Sequence, residues 1–128
     1  MAYYFTKMLN VEFDDAIERI IEKLKDEGFG ILTDINVKET LKNKLGVEFR
    51  NYRIIGACNP PYAYQVLQAE DKIGLMLPCN VIVQEWDEKK VEVSAIDPLA
   101  SMQAVENAFL GEIATELQTK LRKVIDSL

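Results

Sequence analysis

Two cysteines and no histidine set the chemistry open to this 128-residue chain. Each cysteine sits in a Cys-Asn step flanked by proline, in Gly56-Ala57-Cys58-Asn59-Pro60-Pro61 and in Leu77-Pro78-Cys79-Asn80. Without imidazole the chain has no Ser-His-Asp or Cys-His nucleophile activation, no His-ligated zinc or haem, and no ordinary near-neutral proton switch. A thiol remains the clearest nucleophile, redox group or soft-metal ligand. Cys58 ends an expected strand beside the positive end of an expected helix, a place that favours thiolate. Pro60 and Pro61 remove two of that helix end's N–H donors, which makes it a poor cradle for phosphate or an oxyanion. Burial is the competing reading, because cysteine is a small apolar side chain and Cys58 shares strand parity with the core-like Ile54. The 21 positions from Cys58 to Cys79 match neither a zinc-finger pair nor a thioredoxin-like Cys-x-x-Cys, and no metal site or cofactor is assigned.

Other polar candidates have structural readings of equal or greater weight. Asp97 precedes Pro98 and reads as a helix N-cap before it reads as a catalytic acid. Asp34 stands at a strand end, facing a cleft or setting the turn into Asn36. Tyr62 and Tyr64 fall in the first turn after Asn59, where they line the same pocket or pack on the helix. Gly28-Phe29-Gly30 follows a helix and precedes a strand, the reverse of the dinucleotide-binding order.

The elements that must position these residues follow one another with short turns and no linker, repeat or low-complexity tract, so one domain over residues 1–128 is expected. Residues 2–8 read as a strand. Ala16, Ile17, Ile20, Ile21 and Leu24 recur at helical spacing, and Gly28 is placed to end that helix. A strand over 29–35 leads to Asn36, whose spacing to Glu39 resembles a capping box for a helix with Val37, Leu41 and Leu45 on its apolar side and Gly46 as its stop. A strand over 49–58 carries Gly56, where the missing side chain leaves room for a neighbour. Asn59-Pro60-Pro61 starts a helix, with Asn59 as its N-cap and proline where no intrahelical N–H is needed. Strands over 79–87 and 91–96 form a hairpin around Glu88-Lys89. Asp97-Pro98 then opens a long helical region with a seam of Leu110, Ile113, Leu117, Leu121, Val124 and Leu128, in which Gly111 marks a break. The preferred fold class is α+β, a two-layer sandwich in which helices pack on a mixed sheet; a three-layer α/β domain is the alternative.

Charge narrows the partners. Lys and Arg number 15 against 21 Asp and Glu, a net charge of −6 with pI near 4.7, which disfavours nucleic acid. Lys38, Lys42, Lys44 and Arg50 come closest to a basic patch and read as a solvated face. Met1–Lys7 lacks the basic-then-apolar pattern of an export leader. The uncharged run 73–84 is broken by Pro78 and falls short of the ~20 residues of a membrane span. Two cysteines in such a chain are expected to stay reduced in the cytoplasm.

Five segments occur in order: Gly28-Phe29-Gly30-Ile31-Leu32-Thr33, Lys44-Leu45-Gly46-Val47, Ile55-Gly56-Ala57-Cys58-Asn59-Pro60, Ile73-Gly74-Leu75-Met76-Leu77-Pro78-Cys79-Asn80-Val81 and Ala95-Ile96-Asp97-Pro98. Together they resemble the domain of unknown function 302 family over nearly the whole chain. The resemblance implies a compact α/β fold and a dimer. It transfers no catalytic set, because the family has no established activity. Its motif residues fall on Cys58, Asn59, Pro60, Pro78, Cys79, Asn80, Asp97 and Pro98. Many relatives carry histidine at Tyr64 and aspartate at Asn36, and these departures count against a family role that requires an imidazole or a second acidic group beside Asp34. The expected function is a cytoplasmic, non-enzymatic domain for small-ligand binding or assembly. Its cleft is expected near Cys58 and Cys79 and drawn from Cys58, Asn59, Pro60, Tyr64, Pro78, Cys79, Asn80 and Asp97. A thiol-dependent redox or nucleophilic enzyme is the alternative, and dimerisation through the C-terminal seam is compatible with both.

Overall fold

A computed structural model describes residues 2–128; Met1, the first residue of the stretch read for a leader, lies outside it. Strand β1 (Tyr4–Leu9) leads into helix α1 (Phe13–Asp26), which buries Phe13, Ala16, Ile17, Ile20 and Leu24 on one side. The helix stops in a Schellman turn: Phe29 N–H donates to the Leu24 carbonyl at 2.9 Å and Gly28 N–H to that of Lys25 at 3.0 Å. Gly28 holds φ at +88°, a region open to glycine and costly for other residues. Strand β2 (Gly30–Asn36) runs directly into helix α2 (Val37–Leu45), where the Asn36 side chain accepts the Glu39 N–H at 3.0 Å. Strand β3 (Tyr52–Cys58), helix α3 (Pro60–Ala69) and a 3₁₀ turn (Ile73–Met76) follow. The hairpin of β4 (Cys79–Asp87) and β5 (Lys90–Ile96) then leads to helices α4 (Pro98–Ser101) and α5 (Ala108–Asp126).

The strands form one sheet in the order β1-β5-β4-β3-β2. The α+β class read from the sequence holds, but the sheet is antiparallel at every neighbouring pair rather than mixed. The reason is the crossover through α1. It makes β1 and β2 parallel to each other, yet delivers them to opposite edges with three strands between. Alternation then sorts the side chains. Ile55, Ala57, Val81, Val83, Val91, Val93 and Ala95 point to the face covered by α1 and α5 and form one core with them. The opposite face carries no buried apolar side chain among the described residues, which gives two layers rather than three.

Two local readings are corrected. Parity is right in β3 but its sense is reversed: Ile55 and Ala57 are fully buried, whereas Ile54 and Cys58 are only half-buried. Period-two alternation defines two faces without saying which one a helix will cover. The C-terminal region breaks before α5 and not at Gly111. Asn107 caps the new helix by accepting from Phe109 and Leu110 N–H, and α5 continues through Gly111. Leu110, Ile113, Leu117, Leu121 and Val124 are buried within the chain, so most of the expected seam is occupied by the fold itself.

Candidate functional site

Antiparallel pairing of β3 with β4 brings the two Cys-Asn steps to one end of the sheet. Gly56 lies opposite Asn80 and Ala57 opposite Cys79, with Cys58 one residue further along. Gly56 permits this closure. A Cβ there would come 2.2 Å from Thr33 Oγ1 on β2 and 2.7 Å from Cγ of Pro78, the residue that leads into Cys79. The room inferred at Gly56 is therefore filled by the strand on one side and the proline on the other.

Cys58 and Cys79 line one crevice, walled mainly by Phe29, Tyr62, Val66, Leu77 and Leu117. It holds about 20 Å³ of free space, room for roughly one water. No carboxylate, lysine or arginine lines it. Burial pushes both thiols up, Cys79 to about 11, where the nearby Cys58 adds a smaller upward push. Desolvation is the main influence on both thiols, and no cation or base stands in the crevice to favour the thiolate. Among the described residues no cluster of three or more Cys, Asp, Glu or His is placed to hold a metal.

Asn59 performs a different task from the expected cap. Its side chain makes no capping bond to α3; instead Nδ2 donates to the Glu27 carbonyl at 3.1 Å and packs against Gly28. Buried Asn59 thus ties the end of α1 to the start of α3, behind Cys58. Asp97 is the cap the sequence suggests. Its Oδ1 accepts Leu99 N–H at 3.0 Å, and its two carboxylate oxygens accept the Gln118 amide of α5 at 3.1 and 3.2 Å. With its acceptors engaged, Asp97 joins α4 to α5 and lines neither hollow described here. Asp34 pairs in bidentate fashion with Arg53 across β2 and β3, and that pairing raises the arginine further.

A second hollow opens on the other side of Cys79. Leu75, Met76, Leu77, Pro78, Asn80, Ile96 and Ser101 line it with Cys79, around 290 Å³. The structure therefore brings Cys58, Asn59, Pro78, Cys79 and Asn80 together at two adjoining cavities. Pro60 and Tyr64 are solvent-exposed and line neither; Tyr62, two residues before Tyr64, supplies the aromatic wall. The Leu75–Met76 turn and Ile96 were missed as lining residues. Their only sequence signals are the uncharged run 73–84 and the open-face parity of β5, and neither identifies a cavity.

A family model described as "Domain of unknown function DUF302" matches residues 5–128. Among solved structures, an uncharacterized conserved protein DUF302 from Bacillus stearothermophilus is similar at 29% identity and TM-score 0.89, over 98% of this chain and 98% of that one. No curated protein matches the chain. Among the described residues, no helix is long and apolar enough to cross a membrane.

Proposed function

The chain belongs to the family described as domain of unknown function DUF302, and we propose that it acts by binding rather than by catalysis. On this reading it is a single cytoplasmic domain that assembles as a homodimer and takes a small, largely apolar ligand in the hollow between the Leu75–Met76 turn and Ile96. The state of the two thiols carries the proposal. Cys79 is buried and Cys58 half-buried, desolvation pushes both thiols up, and the crevice they share has neither a charged partner nor space for a substrate. A nucleophilic cysteine needs the opposite environment, with a cation or base that lowers its pKa. The neighbouring hollow suits a small ligand: its volume is near the lower end of ordinary ligand sites, and its wall combines apolar side chains with the polar Asn80 and Ser101.

The test pairs thiol reactivity with native mass spectrometry. Alkylation by iodoacetamide as a function of pH is expected to show both thiols titrating above free cysteine, Cys79 higher than Cys58. Native mass spectrometry of freshly purified protein is expected to show any retained ligand unchanged in Cys58→Ser and Cys79→Ser. A thiol titrating below neutrality, with activity lost in its serine variant, would overturn the binding reading in favour of the thiol enzyme.

A further inference from the structure

We propose that the hollow beside Cys79 takes an uncharged primary carboxamide, its polar end between Asn80 and Ser101 and its short apolar body on Leu75, Met76 and Ile96. This rests on the binding reading and names its ligand class. Among the described residues that line the hollow, none has a charged side chain. Cys79 adds no charge at neutral pH, since burial pushes its thiol up to about 11. A carboxylate or an ammonium group entering the hollow would lose hydration and meet no opposite charge.

Two polar side chains then set the head group. Ser101 Oγ donates to the Pro98 carbonyl at 3.1 Å, so its proton is engaged and its lone pairs remain to accept. The Asn80 amide has no hydrogen-bond partner among the described residues, and its neighbour on β3 is Gly56, which has no side chain to supply one. The pair therefore asks for a donor at Ser101, and for a donor and an acceptor side by side at Asn80. A primary carboxamide carries that set: one N–H for Ser101, the other N–H and the carbonyl for the Asn80 amide. A ketone or an ester only accepts, and a carboxylate does the same while adding an unpaired charge. A hydroxyl has a single donor and leaves one of the two residues without its match.

The apolar wall sets the body. Leu75 is 87% exposed, more than any other large apolar side chain among the described residues, and Met76 follows it on the same 3₁₀ turn. A hydrocarbon body laid on them and on Ile96 leaves water, which tightens binding about fourfold for each methylene fully buried. At around 290 Å³ the hollow lies just below the usual range of ligand sites, so it suits a body of several carbons rather than a long chain.

An NMR titration of the full chain, followed at its backbone amides, tests the assignment with hexanamide, hexanoate, hexylammonium and hexanol as probes of matched length. Hexanamide is expected to shift the resonances of Leu75, Met76, Asn80, Ile96 and Ser101 and to saturate. Hexanoate and hexylammonium are expected to bind at least about tenfold more weakly, and hexanol about fivefold, because each leaves a charge or a polar group unmatched. In Asn80→Leu, at an exposed side chain, hexanamide is expected to fall to the affinity of hexanol. The wild-type ranking carries the test if that variant does not fold. No shift at these residues with any probe overturns the hollow as a ligand site, and this assignment with it. A charged probe or hexanol that binds there as tightly as hexanamide, or an amide advantage kept in Asn80→Leu, overturns the carboxamide and leaves the hollow standing.

Discussion

Replacing Gly56 by alanine probes the contact on which the meeting of β2, β3 and Pro78 depends. The added Cβ would sit 2.2 Å from Thr33 Oγ1 and 2.7 Å from Pro78 Cγ, both well inside van der Waals contact. The two neighbours yield differently. Thr33 can rotate its hydroxyl away at an off-rotamer cost of about 1 kcal/mol. Pro78 has a closed ring at the start of β4 and can retreat only by moving backbone, an overpacking cost of about 1–3 kcal/mol. Alanine recovers about 0.5–1 kcal/mol through its smaller loss of backbone entropy. The net expectation for Gly56→Ala is a destabilisation of about 1.5–3 kcal/mol, seen in urea unfolding by circular dichroism as a lower midpoint with unchanged slope. The midpoint of thermal unfolding should fall by about 5–15 °C. Adding Thr33→Ala removes the 2.2 Å contact and leaves Cβ at 3.5 Å, so the double variant should regain about 1 kcal/mol relative to additivity. Wild-type stability in Gly56→Ala, or strict additivity with Thr33→Ala, would refute this account of the closure.

Asp97→Ala should cost about 2–4 kcal/mol in the same assay, because it removes a cap and strands the Gln118 amide. Asp97→Asn, which keeps an oxygen for Leu99 N–H, should lose less than half as much. Cys79 should make the fold alkali-sensitive. Its pKa is raised from 9.0 to about 11, so between those values the folded state holds a proton that the unfolded chain has released. Stability is then fully present below pH 9 and falls by about 2–3 kcal/mol as pH rises to 11. In Cys79→Ala most of that slope should disappear from pH-dependent urea unfolding; an unchanged slope would remove Cys79 as its source.

Local elements were readable wherever a short-range rule decided them. The α1 stripe and its Gly28 stop, the Asn36 cap, the Asp97 cap and the hairpin around Glu88-Lys89 all depend on residues within about one or two turns of one another. Asn59 shows the limit. Its neighbours predict a cap, but Pro60 and Pro61 leave little there to cap, and the Glu27 carbonyl, distant in sequence, takes its amide instead. The candidate site divides in the same way. The two proline-flanked Cys-Asn steps were visible as a pair, whereas Tyr64 was exchanged for Tyr62 because only packing decides which side of α3 faces the crevice.

By itself, the absence of histidine left Cys58 and Cys79 as the clearest candidates for nucleophilic, redox or soft-metal chemistry, and strand and helix spacing determined an α+β chain. Tertiary structure decided the rest, through interactions that a local pattern does not contain. The α1 crossover sent two parallel strands to opposite edges and so made the sheet antiparallel. The choice of which face α1 and α5 cover buried Ile55, left Ile54 and Ile82 half-buried and left Ile35 exposed. The apolar walls around the cysteines raised both thiols, because desolvation depends on everything that packs around a charge and not only on the neighbouring turn of chain.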